Sequence, residues 1–138
     1  MLERIQKEND IKELNLEELE ELALEIREFL VEKISKTGGH LASTLGVVEL
    51  TMAMHLMFHL PEDKIIWDVG HQVYTHKLLP GRKAGFDELR KYGAMCGSSN
   101  RTDCVLCAFD PGHRSHFLSA VLGYLLPHQL SGEDFSVH

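Results

Sequence analysis

The sequence is poor in basic residues and has no long apolar run. The first shortage argues against a nucleic-acid-binding protein, and the second argues against a membrane-spanning one. Lysine and arginine number 14 against 21 aspartates and glutamates, so the net charge is −7 with the histidines neutral. Nucleic-acid binding needs a basic face, and this balance argues against it. The longest apolar-rich run, residues 117–126, is too short to cross a bilayer.

Two further shortages concern targeting and redox state. No segment near the start joins a basic region to an apolar run, so no secretory signal is expected. The cysteines number three, which is odd, and together these features predict a reducing cytoplasm. Apolar residues make up 43% and charged residues 25% of the 138 residues, which is typical of a soluble globular domain that can bury a core.

Helical periodicity is clearest in the first third of the chain. Asn15 followed by Glu18 is the pattern of a helix N-cap with its capping-box partner. Apolar residues then recur at gaps of mostly three and four, which predicts a helix over about residues 16–36. Gly38 and Gly39 are expected to end this helix, because glycine accepts the left-handed conformation.

The next segment predicts a second helix over residues 45–58, capped by Ser43 or Thr44 and closed by Pro61. Residues 64–68 contain three apolar side chains in succession, which favours a parallel strand covered on both faces. Shorter helices are predicted over residues 72–79, 86–92 and 115–126, the last stopped by Pro127. The α-α-β-α order predicts part of an α/β domain with a parallel sheet.

Glycine-histidine pairs stand at three predicted element boundaries: Gly39-His40, Gly70-His71 and Gly112-His113. Histidine exchanges protons near neutral pH and can donate to a phosphate, and glycine lets backbone approach a ligand closely. Ligands of open α/β sheets lie beyond the carboxyl ends of the strands, where His71 is placed. The three pairs together predict a phosphate-binding pocket.

Two stretches carry a family resemblance: "GGHLASTLGVVELTMAMH" and "PEDKIIWDVGHQVYTHKLLPGR". They resemble the N-terminal part of the 1-deoxy-D-xylulose 5-phosphate synthase family, within the transketolase-like superfamily. The resemblance implies an incomplete thiamine-diphosphate-binding α/β domain. It also implies a homodimeric transferase that joins pyruvate to glyceraldehyde 3-phosphate with loss of carbon dioxide, for isoprenoid, thiamine and pyridoxal biosynthesis. Thiamine diphosphate and magnesium are the implied cofactors.

The same resemblance implies roles for individual residues. His40 matches a family histidine at the reactive centre, where it would transfer protons or stabilise oxyanions. His71 matches a histidine that contacts thiamine diphosphate. Gly112, His113 and Arg114 fall on a cofactor-binding Gly-His-Ser triplet, with arginine in place of serine. An arginine can pair with a diphosphate, and its bulk can equally fill the space that a diphosphate needs.

After residue 93 the sequence departs from the family pattern. It contains no Gly-Asp-Gly magnesium motif, so the magnesium ligands are not expected in this chain and the isolated chain is expected to be inactive. The predicted organisation is a flexible N-terminus over residues 1–14, a partial thiamine-diphosphate-binding domain over 15–126 that diverges after 93, and a tail over 127–138.

Three alternatives remain open. One is the N-terminal piece of a split transketolase. Another is a zinc site formed by Cys104, Cys107, His113 and His116, with Cys96 as a substitute, since two thiolates and two imidazoles suit tetrahedral zinc. The third is a non-catalytic interaction protein that exposes the apolar residues 45–58. His55 and His59, spaced i, i+4, are a weaker metal candidate and are more simply core or rim residues.

Overall fold

A computed structural model describes residues 1–68, 70–89, 95, 106–108 and 116–138, and within these ranges the regular structure is helical. The α-helices are α1 (Leu16–Thr37), α2 (Leu41–Leu45), α3 (Val48–Met57), α4 (Tyr74–Leu78) and α5 (Phe117–Ser131). Short 3-10 helices cover Leu2–Arg4, Asp10–Glu13, Gly70–Gln72 and Lys83–Glu88. None of the helices in these ranges combines the length and apolarity that a bilayer crossing requires.

Helix α1 confirms the prediction for residues 16–36. The Asn15 side chain accepts a hydrogen bond from the Glu18 backbone N–H at 3.0 Å, and Glu18 accepts from the Asn15 backbone N–H at 2.9 Å, so the predicted capping box is present. Gly38 follows the helix with a φ of 76°. The stripe facing the core is made of Leu22, Ala23, Ile26, Phe29, Leu30 and Ile34.

The helix predicted over residues 45–58 is confirmed as α3, which begins later, at Val48, and is separated by Gly46 and Val47 from an additional short helix, α2. Glycine and β-branched valine are both weak helix formers, and Val47 has a non-helical ψ of 15°. The break lets Val48 become fully buried. Thr44 is not the cap of a long helix, since its hydroxyl lies within 2.8 Å of the His71 carbonyl oxygen.

The strand predicted over residues 64–68 is a single parallel bridge between Lys64 and Val137. Lys64 N–H donates to the Ser136 carbonyl and Ile66 N–H donates to the His138 carbonyl, each at 2.8 Å. The described residues contain no strand, so the parallel sheet predicted from sequence is not seen in them. A ladder needs longer extended neighbours, and this segment pairs with only three residues.

Helix α5 continues past Pro127, so the prediction that proline stops it is wrong. The helix ends at Gly132, which has a φ of 70° and donates its N–H to the His128 carbonyl. Proline removes one backbone donor and its ring meets the carbonyl of the fourth preceding residue, which here is Gly123. The left-handed glycine, and not the proline, ends this helix.

The first 14 residues are packed, contrary to the expected flexible N-terminus. Leu2, Ile5 and Ile11 are each at most 5% exposed and lie in the main hydrophobic cluster with α1. Glu25 of α1 accepts hydrogen bonds from the Met1 amino group and from the Leu2 backbone N–H, both at 2.6 Å. The apolar positions in this polar segment were too few to show a period.

Two hydrophobic clusters stabilise the described part of the chain. The main cluster joins the N-terminal segment, α1 and residues of α3 and α4 with Phe86 and Leu89. The second contains Leu60, Ile65, Trp67, Val73, Leu106 and Cys107. The short helix predicted over residues 72–79 is confirmed by α4, whereas the helix predicted over 86–92 begins earlier, as the 3-10 helix Lys83–Glu88, and residues 90–92 lie outside the described ranges.

Asp63 joins the C-terminal segment to the residues that follow α3. Its hydrogen bonds predict that the free energy of unfolding depends on pH. Its carboxylate accepts the His59 N–H at 2.8 Å and the Ser136 N–H at 2.7 Å, and these two bonds lower its pKa. Because the folded pKa is depressed, the stabilisation is present above the ordinary value of about 3.9 and is lost as pH falls through the folded pKa. Asp63→Asn should therefore destabilise the protein at pH 7, and the difference from wild type should close towards pH 3.

Urea unfolding of wild type and variant at both pH values measures that difference. Asparagine keeps the size of the side chain and one acceptor oxygen, but its amide N–H₂ cannot accept from the other backbone N–H, so one of the two hydrogen bonds is lost. Glu62→Gln, at an exposed carboxylate next to Asp63, is the control and should change little at either pH. A stability difference that stays constant from pH 7 to pH 3 would contradict the assignment.

Candidate functional site

Two of the predicted site residues, His40 and His71, lie against each other. Their ring centroids are 4.3 Å apart and the rings are nearly parallel, with an angle of 23° between the planes. The residues are 31 positions apart in the sequence and come from different segments. The structure therefore brings together two of the three glycine-histidine pairs.

Local backbone conformation places His40 at this position. Gly38 and Gly39 have φ values of 76° and 151°, which residues other than glycine rarely adopt. These two residues turn the chain after α1, and His40 follows as the residue before α2. His71 is the middle residue of the 3-10 helix Gly70–Gln72, directly after the extended segment that ends near Asp68.

Thr44 joins the backbones of the two histidines. Its side chain is fully buried, and its hydroxyl lies 2.7 Å from the His40 carbonyl oxygen and 2.8 Å from the His71 carbonyl oxygen. A carbonyl only accepts, so the single hydroxyl hydrogen is shared between the two oxygens. This contact fixes α2 on the turn that carries His71.

The two rings differ in exposure. His40 is exposed and His71 is half-buried. No residue in the described ranges hydrogen-bonds to the His40 ring. A pair of imidazoles side by side can donate hydrogen bonds to a phosphate or an oxyanion.

The other predicted site residues fall largely outside the described ranges. Gly112, His113 and Arg114 lie there, as do Cys96 and Cys104 of the zinc alternative. Cys107 is buried in the second cluster and His116 is exposed before α5. Within the described residues, no group of three or more histidine, cysteine or acidic side chains is arranged to hold a metal ion.

A buried pair of histidines, His55 and His76, was not predicted from the sequence. His55 Nε2 lies 2.8 Å from His76 Nδ1, and His76 Nε2 lies 3.3 Å from the Leu106 carbonyl oxygen. The prediction that His55 and His59 are core or rim residues is confirmed, because His55 is 3% exposed and His59 is exposed, with Lys12 nearby. The apolar neighbours of His55 were the available signal that its ring is buried.

The apolar surface proposed for an interaction protein is only partly exposed. In α3, Val48, Thr51, Met52 and His55 are buried, while Leu50 and Met57 are exposed. A cavity of about 400 Å³ lies between α1 and α3, lined mainly by leucine, alanine and methionine side chains. Larger apolar exposure occurs on α5, where no side chain is buried.

Comparison with known proteins identifies the family of this chain. The sequence model of 1-deoxy-D-xylulose-5-phosphate synthase, in its N-terminal part, matches residues 2–137. The 1-deoxy-D-xylulose-5-phosphate synthase of Caldanaerobacter subterraneus subsp. tengcongensis is 51% identical over 137 residues, which are 99% of this chain and 22% of that protein. The synthases of Lachnoclostridium phytofermentans and Clostridium acetobutylicum are 52% and 49% identical over the same length.

The similarity includes the segment after residue 93, where the sequence alone indicated divergence. The family prediction is confirmed: the chain belongs to the 1-deoxy-D-xylulose-5-phosphate synthase family. The chain spans 22% of the length of the curated relatives named above.

Proposed function

We propose that this chain provides the His40–His71 part of the active site of a 1-deoxy-D-xylulose 5-phosphate synthase. The reaction is the condensation of pyruvate with glyceraldehyde 3-phosphate, with loss of carbon dioxide, for isoprenoid, thiamine and pyridoxal biosynthesis. The observation that carries the proposal is the contact between the His40 and His71 rings, 4.3 Å apart, in a chain with this family membership. Both substrates are anionic, which suits donors at this surface.

The described residues of the candidate site, His40 and His71, fit thiamine diphosphate. The His40 ring is exposed and the His71 ring is beside it, so both can face one ligand. When bound, thiamine diphosphate supplies the nucleophilic carbon for decarboxylation and ligation. His71 would hold the cofactor, and His40 would move a proton or donate to a developing oxyanion. Gly112, His113 and Arg114 are proposed as further cofactor contacts, with Mg²⁺ as the accompanying ion.

The same proposal includes the domain structure of the chain. Residues 15–126 would form part of an α/β thiamine-diphosphate-binding domain with a parallel sheet. The parallel bridge between Lys64 and Val137 supports this, because it has the direction that such a sheet requires. A cytoplasmic location and a homodimer are the settings proposed for this enzyme class.

A chimeric enzyme tests the function directly. The matching 137-residue segment of the Caldanaerobacter synthase is replaced by this chain, and formation of 1-deoxy-D-xylulose 5-phosphate is measured. We expect an active enzyme. His40→Ala in the chimera should lower kcat by about 100-fold or more, the usual contribution of a proton-transferring side chain. His71→Ala should mainly raise the concentration of thiamine diphosphate needed for half-maximal activity.

His59→Ala, at an exposed histidine outside the pair, is the matched control and should leave kcat unchanged. Circular dichroism and gel filtration establish that each variant is folded. A folded chimera without activity would contradict the proposed function. Unchanged kinetics in both His40→Ala and His71→Ala would contradict the assignment of the site.

A further inference from the structure

A second connection joins the segments that carry His40 and His71. Thr44 joins α2 to the turn that carries His71, and farther along the same two segments His55 of α3 meets His76 of α4 at 2.8 Å. Both rings are buried, with His55 3% exposed and His76 fully enclosed. Trp67 packs near His76, with ring centroids 5.6 Å apart. The contact is therefore a specific polar link within an otherwise apolar region.

Hydrogen-bond chemistry assigns the tautomer of each ring. The Leu106 carbonyl can only accept, so His76 Nε2 at 3.3 Å must carry a hydrogen. In a neutral imidazole, His76 Nδ1 is then the acceptor, and His55 Nε2 must donate to it. Neutral rings at both positions therefore carry their hydrogen on Nε2. Burial, with the charge of Lys12 nearby, lowers the pKa of His55 to about 2, which agrees with a neutral ring at that position.

The link is connected to the candidate site through continuous backbone. The 3-10 helix holding His71 leads into α4, since Val73 N–H donates to the Gly70 carbonyl at 3.3 Å and Lys77 N–H to the Val73 carbonyl at 2.9 Å. On the other segment, α3 follows α2 after only Gly46 and Val47. A shift of α4 along α3 would therefore move His71 relative to His40.

We propose that His55 and His76 are positioning residues: their directional hydrogen bond, together with Thr44, fixes the register of α4 on α3 and so holds the His71 ring against His40. An apolar pair at the same place would fill the volume but would allow the helices to slide. Two hydrogen-bonded links on the same pair of segments leave a single alignment. The inference concerns the arrangement of the protein and needs no ligand.

Ring-nitrogen NMR of the full chain with ¹⁵N-labelled histidine tests the tautomers. We expect both His55 and His76 to be protonated on Nε2 only at pH 7. A hydrogen on His76 Nδ1, or a charged ring in either residue at pH 7, would overturn the proposal. The measurement uses wild-type protein, so it does not depend on any variant folding.

Two substitutions at position 55 test the positioning itself. His55→Leu keeps an apolar group of similar volume without a donor, whereas His55→Gln places an amide donor near the former Nε2. We expect His55→Leu to shift or broaden the ring resonances of His40 and His71, and His55→Gln to restore them. His59→Leu is the control and should leave both resonances in place.

Unchanged His40 and His71 resonances in folded His55→Leu would overturn the proposal. Should His55→Leu fail to fold, His55→Gln decides alone: retained resonances support the link, and displaced resonances in the folded variant contradict it. If the positioning proposal is contradicted, the proposed synthase function still stands, because that function is tested separately by product formation in the chimera.

Discussion

Gly81→Ala is expected to destabilise the protein by about 2 to 5 kcal/mol, from a left-handed backbone penalty and a steric clash. Gly81 has a φ of 83°, and a Cβ built on it would lie 2.1 Å from the Gln6 carbonyl oxygen. The atoms in the way are backbone, so no side-chain rotation relieves the clash. The N-terminal segment and the turn after α4 would have to separate, which exposes part of the main cluster.

Urea unfolding followed by circular dichroism measures this change in the free energy of unfolding. The matched control is Gly123→Ala in the interior of α5, where an added Cβ would have no atom within 4 Å. Alanine is the better helix former, so the control should be stabilised by up to about 1 kcal/mol. A Gly81→Ala variant as stable as wild type would show that residues 1–14 do not pack on the turn as described.

Thr44→Val is expected to cost about 1 to 3 kcal/mol and to loosen the contact between the His40 and His71 rings, because a buried hydrogen-bond donor is removed. Valine has nearly the shape of threonine, so no cavity is created. The His71 carbonyl oxygen, 2.8 Å from the hydroxyl in wild type, loses its Thr44 donor. Unfolding in urea gives the stability change, and histidine ring NMR gives the change at the site.

Thr51→Val is the control, because it also removes a buried threonine hydroxyl but at a position away from the two histidine rings. Thr51 is also fully buried, and its hydroxyl lies 2.7 Å from the Val47 carbonyl oxygen. That oxygen already accepts the Thr51 backbone N–H at 2.9 Å, so it remains paired when the hydroxyl is removed. The control should cost less than Thr44→Val and leave the His40 and His71 resonances unchanged. Equal effects from the two variants would argue against a special role for Thr44.

Much of the local structure follows from neighbouring residues. Asn15, Glu18 and Gly38 predicted the ends of α1 correctly, since a capping box and a glycine with a positive φ depend on residues within one helical turn; Gly38 has an extended ψ of 154° and not the left-handed helical one that was expected. The family was also recognisable from residues 38–82, where sequence identity is dense. The sequence also predicted that His40 and His71 lie in one pocket, because each follows a glycine at the boundary of a predicted element.

Other features were not available from local patterns. The continuation of α5 beyond Pro127 and the packing of Leu2 and Ile5 each run against the local pattern. Helix propensities and turn residues act over a few positions and differ by about 1 kcal/mol, proline apart. At Leu2 and Ile5, burial against α1 contributes more than such preferences, whereas α5 continues past Pro127 although none of its side chains is buried.

The sequence by itself determined the family, the capped first helix and the identity of the two histidines that form the candidate site. Only the tertiary structure decided that Thr44 joins their backbones and that His55 and His76 share a buried hydrogen bond. The reason is that a polar side chain has many potential partners along a chain. Which one it meets is decided when segments far apart in sequence exclude water from between them.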